Sequence, residues 1–495
     1  MDILALLIIT GLSLLSLLMV LGLWRKVRNQ FTHSEIFDLV MFILSIKTVL
    51  YFLLPAVLRA YSDWSKDRVI QASPVEIATV YGIEFVSLVV WLIALLLTLN
   101  GLRFDRRFNT IRIAEQFDGS RHLPPISVLY LSKCRVNLFN KKNFTDRAAK
   151  VFLATICVLY LWYFPYTLDA LLAVAAGEVD LLQPIMWLAG PVVGIYLFST
   201  TRRGGYFVYA LGLGVTIMGA LAAIASGSRG NLAFFFYWLM FLYLFVSKKR
   251  HLLYLAISGA FLIVISQGIM VAIRADESFK DKSILENVEG MIRSVGTQKD
   301  ESSLLAELEF RFGEASRMSV GFLRLVDRGD SAGLKPVGSA IYAMIPRTYF
   351  PDKPVQGSVD GTKAGMGMYI IHETMARGYS SNMSEFFTGV HAYWELGLPG
   401  VILFAGISGV FIALCIGYFG TMGYAGLPMM MIVLKPPWLE PKLWTSELIA
   451  DLFHTLIPLL VLWYLIRWLL IAYLKVRKLF RSAPAILNND MSVSS

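Results

Sequence analysis

Residues 76–98 read EIATVYGIEFVSLVVWLIALLLT, and only Glu76 and Glu84 in them are charged. As a helix rising 1.5 Å per residue this stretch is about 35 Å long, enough to cross the roughly 30 Å of hydrocarbon in a bilayer. Lipid offers no partner to a free backbone N–H or C=O, so a stretch that crosses must be helical. The chain then turns basic at once, with Arg103, Arg106, Arg107, Arg112, Arg121, Lys133, Arg135, Lys141, Lys142 and Arg147 against Asp105, Glu115, Asp118 and Asp146. An apolar run ending in a basic segment marks the side on which the chain meets the cytoplasm.

The same reading extends outward to apolar segments at 3–24, 36–58, 149–168, 182–200, 205–226, 231–247, 252–273, 396–418, 420–435 and 452–474, predicting eleven spans. The segment 420–435 is short and carries Gly426 and Pro428. Composition agrees: of 495 residues 56% are hydrophobic and 16% charged, where soluble domains carry about 25% charged residues. Mean hydropathy is +0.61. These values exclude a secreted disulfide scaffold, a disordered chain and a soluble dinucleotide-binding enzyme. Cys134, Cys157 and Cys415 are far apart, match no metal spacing and read as inert. Residues 3–24 do not read as a cleaved signal peptide, because no basic start precedes them and Arg25, Lys26 and Arg28 follow.

With the N-terminus outside, Arg25–Arg28, the segment 99–148, Arg202 and Arg203, Lys248–Arg250, and Lys475, Arg477, Lys478 and Arg481 all fall inside. The acidic segment 169–181 falls outside. This obeys the positive-inside rule, requires an odd number of spans, and explains the net charge of +10 by cytoplasmic loops, with no nucleic-acid partner. The expected fold is an all-α polytopic membrane protein of about eleven transmembrane helices. Spans one to eight occupy 1–273, a large, partly helical outer loop occupies 274–384, spans nine to eleven occupy 385–475, and 476–495 is a cytoplasmic tail. Helical apolar spacing over 284–327, such as Ile284, Val288, Met291 and Ile292, precedes breaks at Gly329, Gly333, Pro336, Pro346, Pro351 and Pro354. The loop is expected to lie over the outer mouth of the bundle.

Three motifs carry candidate chemistry. Ser226-Gly-Ser228-Arg229-Gly-Asn231 is a tight turn between two spans. Its glycines let backbone amides face an anion, and Arg229 adds a planar fork suited to phosphate. As structure alone it is a helical hairpin with one snorkelling arginine. Pro346-Arg347…Phe350-Pro351-Asp352-Lys353-Pro354 is a proline-stiffened path that holds Arg347 and Lys353 with little entropy left to lose; as structure alone it is a surface loop. Ser384-Glu385 starts the re-entry into the membrane, followed by His391, Trp394, Glu395, Gly397 and Gly400. A carboxylate or imidazole at a span edge can be tuned toward base work, and such groups are also common decoration at helix ends. His372 lies just upstream. Arg311 and Arg317, with Glu314 between them, fit an amphipathic helix with internal ion pairs. Asp38, Lys47, Glu76 and Glu84 lie in or at the ends of early spans, where ionisable groups point to function unless they are end-of-span residues.

The order and sidedness of these motifs, together covering roughly 205–405, resemble the Wzy-type oligosaccharide repeat-unit polymerases, a family of GT-C-like glycosyltransferases. The resemblance implies a bacterial inner-membrane enzyme with a periplasmic N-terminus, periplasmic large loop and cytoplasmic C-terminus. It implies that a hydroxyl of one undecaprenyl-diphosphate-linked repeat unit attacks the anomeric carbon of another and undecaprenyl diphosphate leaves, with no cofactor. Arg229 and Arg347 would hold the diphosphate. The base stays open between Glu385, His372 and none. Ser226, Ser228, Arg311, Arg317, Asp352, Lys353, Tyr379 and His391 would line the substrate, membrane lipid would surround it, and a chain-length regulator would be a partner. Tyr342, Tyr349, Phe350, Tyr369 and Trp394 offer stacking faces for sugars, or an interfacial aromatic belt. An O-antigen ligase or a flippase is the alternative; paired broken helices in two halves, which a transporter predicts, are not seen in the sequence.

Overall fold

The computed structural model describes residues 2–28, 34–59, 72–116, 141–172, 210, 214–215, 313–333, 387–420, 422, 425–434 and 456–491. Every element among them is helical: α1 (Asp2–Arg28), α2 (Ser34–Lys47), a π-helical turn (Thr48–Leu53), α3 (Leu54–Arg59), α4 (Pro74–Gln116), α5 (Lys141–Leu172), α6 (Glu314–Asp327), α7 (Thr388–Gly420), α8 (Gly426–Val433) and α9 (Ile457–Met491). Among the described residues five stretches are long and apolar enough to cross a membrane: Ile3–Val27, Val40–Leu58, Pro74–Gly101, Thr388–Gly420 and Ile457–Arg477. They coincide with the expected spans one, two, three, nine and eleven, and the fourth expected span lies within α5. The expected spans at 182–200, 205–226, 231–247 and 252–273 fall, apart from Ala210, Gly214 and Val215, outside the described residues. In 420–435 the described helix is α8 alone, and its eight residues reach only about 12 Å. By itself it does not cross the hydrocarbon.

Outward faces stay apolar, with Leu7, Leu18, Ile93, Leu97, Ile402 and Trp468 exposed, as suits contact with lipid tails. Polar side chains in α1, α2 and the start of the π-helical turn satisfy themselves along the helix. Ser13, Ser16, Ser45 and Thr48 each donate to the carbonyl four residues back. α4 begins with a capping box: Ser73 N donates to Glu76 Oε2 at 2.7 Å and Glu76 N to Ser73 Oγ at 3.2 Å, with Pro74 as the first helical residue.

Lipid supplies little hydrophobic drive between spans, so close backbone approach and interhelical hydrogen bonds decide the packing. α4 and α7 show both. A Cβ on Gly409 would lie 2.5 Å from the Trp91 carbonyl oxygen and 2.9 Å from Ala94 Cβ, and Trp91 Nε1 donates to Ser408 Oγ at 3.1 Å. A second contact seats Gly389 against Glu84 and Ser87. The two glycines are twenty residues apart, about 30 Å on a straight helix, yet their seats on α4 are only about 6–17 Å apart. The path between them must therefore bend, and α7 is broken at Leu396 (φ −134°) and Gly397 (φ +66°). Gly397 is the residue type that tolerates that φ.

Among the described residues the buried side chains form two clusters. One holds Val20, Met41, Trp91, Phe152, Ile412 and Trp463. The other holds Ile9, Phe52, Tyr81, Phe322, Phe387 and Trp394. The second joins the start of α1, the end of the second span, the start of α4, all of α6 and the start of α7, which is one end of the bundle for a chain that crosses up, down and up. The expected sidedness makes this the outer end. α6, from the long hydrophilic segment, is seated there.

A buried polar site under the loop helix

α6 ends in a glycine cap that builds one wall of the site. Gly329 (φ +79°) donates to the Val326 carbonyl, and Asp330 N reaches back to the Leu325 carbonyl, both at 2.9 Å. This turn then grips α7. The Asp330 carbonyl accepts from Trp394 Nε1 at 2.9 Å, and Ser331 Oγ donates to the Glu395 carbonyl at 3.0 Å. That carbonyl needs an outside donor because its helical partner would be the nitrogen of Pro399, which carries no hydrogen. The side of α6 facing α4 is fixed by a fork: Arg324 Nε and Nη2 donate to Glu76 Oε1 and Oε2 at 2.8 and 3.1 Å.

The start of α7 is capped by other helices. Phe387 N donates to Ser319 Oγ and Gly389 N to Glu84 Oε2, each at 2.7 Å. First-turn amides lack intrahelical acceptors, and a carboxylate suits the positive end of the helix dipole. Glu84 is thus a buried acid with a structural task. Phe387 is wedged between Phe52, stacked at 4.9 Å, and Tyr81, edge-on at 5.5 Å.

Along α7, Thr388, His391 and Glu395 follow at i, i+3 and i+7 and share a face. His391 Nδ1 lies 3.5 Å from Glu395 Oε1, with side-chain exposures of 4% and 3%. The distance is beyond a formed hydrogen bond, and Glu395 Oε1, Thr388 Oγ1 and Ser87 Oγ have no hydrogen-bond partner among the described residues. Phe322 of α6 stands edge-on to the imidazole at 5.2 Å, and Trp394 lies 5.6 Å from it. Burial among aromatic rings makes His391 and Glu395 part of the packed interior, so they are not solvated decoration of a helix end.

Of the candidate catalytic and substrate-lining residues named from the sequence, the structure describes Arg317 and His391. Arg317 is buried on α6, beside Ser316 and Ser319. Arg229, Arg347, His372, Glu385, Ser226, Ser228, Arg311, Asp352, Lys353 and Tyr379 lie outside the described residues. Of the early ionisable residues, Asp38 accepts from Trp24 Nε1 at 2.6 Å, Glu76 holds Arg324, and Glu84 caps α7. Cys157 and Cys415 are free and buried. Sequence reasoning missed Ser319, Phe322, Arg324, Ser331 and Thr388. Thr388 was accessible through its spacing from His391 and Glu395, whereas the partners on α6 depend on a tertiary contact that no local pattern encodes. Comparison with protein-family models, curated proteins and solved structures finds no match for this chain.

Proposed function

We propose that this protein is a membrane-embedded glycosyltransferase of the bacterial inner membrane. It joins undecaprenyl-diphosphate-linked oligosaccharide repeat units into O-antigen, capsule or exopolysaccharide at the periplasmic face. The observation that carries the reading is the seating of α6, from the long hydrophilic segment, on one end of an apolar helix bundle, above buried titratable side chains. Chemistry on a lipid-linked sugar needs this combination: an apolar body to take the polyprenyl tail, and a polar, water-poor end where charge develops.

In the reaction the acceptor hydroxyl oxygen bonds to the donor's anomeric carbon. The bond from that carbon to the diphosphate oxygen breaks, and its electron pair leaves with undecaprenyl diphosphate. Arg229 and Arg347 are proposed to stabilise the departing diphosphate, because planar forks match its oxygens. For the hydroxyl proton the sequence offers three alternatives: Glu385, at the re-entry, His372 in the loop, and no side chain at all, with the arginines alone driving departure.

The test is reconstitution of the full-length protein in proteoliposomes with lipid-linked repeat units. Polymerase activity gives a ladder of products. One transfer to lipid A core would make it a ligase, and movement of the lipid without new glycosidic bonds would make it a flippase. Arg229→Ala and Arg347→Ala should abolish the ladder while leaving membrane insertion intact; wild-type ladders from both would remove them from the site.

A further inference from the structure

We propose that His391 is the general base of this polymerisation and that Glu395 is its positioning partner, an assignment that rests on the glycosyltransferase reading above. With Glu395 on the Nδ1 side of the ring, the Nδ1 proton is directed at the carboxylate and Nε2 carries the lone pair. As the acceptor O–H bond breaks, the proton passes to Nε2 and the oxygen's electron pair forms the new glycosidic bond. Glu395 holds the imidazole in that tautomer and stabilises the imidazolium that results.

The geometry gives three grounds. First, the pair is buried to 4% and 3% exposure, while Glu395 Oε1 has no formed hydrogen bond among the described residues. A buried carboxylate left this way is costly and contributes little to stability, which is the pattern of a group retained for chemistry. The 3.5 Å separation is a loose contact of the kind that tightens when substrate binds.

Second, the positioning residue Glu395 is held by its backbone. Ser331 takes up the Glu395 carbonyl, Trp394 is tied to Asp330, and the break at Leu396–Gly397 ends the helix directly after it. A carboxylate that sets the tautomer of the imidazole needs this fixed placement. Third, the hydroxyls of Thr388, on the dyad's own helix face, and of Ser87, across the α4 contact beside Gly389, are buried and unpartnered among the described residues. They offer hydrogen bonds to incoming hydroxyl groups. Phe322 of α6 now covers the ring, so entry of an acceptor sugar requires α6 to move aside.

The test measures kcat and KM for ladder formation by the full-length protein in proteoliposomes. His391→Gln should lower kcat by about 10²–10⁴-fold with KM little changed. Glu395→Gln should lower it by less, and the double variant should be no slower than His391→Gln, because the two act as one unit. Added imidazole should restore turnover to His391→Ala and not to Arg347→Ala. These variants are followed by thermal unfolding, so that a lost fold is separated from lost chemistry.

If wild type makes no ladder, the glycosyltransferase reading fails and this assignment with it. If wild type makes ladders and His391→Gln turns over normally, the assignment alone is overturned. A fall in kcat that merely tracks the folded fraction, with no imidazole rescue, would also overturn it and leave the dyad a packing element.

Discussion

Gly389 is where the account of the α4–α7 contact is most exposed to test. An alanine Cβ there would lie 2.7 Å from Ser87 Cβ, 3.1 Å from Ser87 Oγ and 2.5 Å from Glu84 Oε2. The Glu84 carboxylate can swing away, and in doing so it gives up the 2.7 Å bond from Gly389 N. Ser87 Cβ is fixed to its backbone and cannot. Losing a hydrogen bond to a charged group costs about 1.5–3 kcal/mol, and overpacking about 1–3 kcal/mol. Replacing a helical glycine returns about 0.5–1 kcal/mol. The net loss for Gly389→Ala is therefore about 2–5 kcal/mol. Gly406, on the same helix with nothing within 4 Å of its Cβ position, is the control, and Gly406→Ala should be neutral or slightly stabilising. The assay is reversible unfolding of the purified protein in detergent by titration with a denaturing surfactant. Ser87→Gly removes the fixed obstacle and should restore the overpacking share of the loss, about 1–3 kcal/mol, a coupling that two distant sites would not show. Gly389→Ala within about 0.5 kcal/mol of Gly406→Ala would refute the reasoning.

Gly409→Val should destabilise at least as much as Gly389→Ala, because its Cβ meets the Trp91 backbone oxygen, which no rotamer change relieves; the same unfolding titration reads it. Arg324→Ala should cost only about 0.2–1 kcal/mol, since the fork to Glu76 is more than a quarter exposed on both sides. A double-mutant cycle with Glu76→Ala measures that coupling, and a value well above this range would mean that α6 hangs on the pair. Arg347→Lys should lose most ladder formation, because a point charge does not reproduce a planar fork; normal ladders from it would argue that any cation suffices there. Glu385→Gln should slow turnover more than it weakens binding of the lipid-linked donor if Glu385 takes the proton, and should leave turnover intact if His391 does.

The spans were legible because hydrocarbon thickness imposes a length and lipid imposes a composition. Residues 76–98 read as a span, and α4 begins two residues before the expected edge, at a Ser73–Glu76 capping box that was not among the expectations. The break in α7 falls at Leu396 and Gly397, beside Pro399, residue types that interrupt a helix, although no break was expected there. What local pattern could not supply was the partner of each polar group. Glu84 stood out as an ionisable residue in an apolar run, but its role as a cap on a helix 305 residues away follows only from the α4–α7 contact. Glu395 read either as a span-edge acid tuned toward base work or as helix-end decoration, because the sequence places it beside the membrane edge; in the structure it is buried. Arg317 read as part of an amphipathic helix; the helix is there, and the arginine on it is buried against the bundle, which its local spacing did not show.

The account turns on the outer end of the bundle being the end that α6 covers. In a background without Cys134, Cys157 and Cys415, single cysteines are introduced as Asp327→Cys on α6, Arg229→Cys, Arg347→Cys and, for the opposite side, Lys475→Cys. An impermeant maleimide applied to the periplasmic face should label positions 327, 229 and 347 and should reach 475 only after permeabilisation. Labelling of position 327, or of either arginine position, from the cytoplasmic side alone would contradict the account.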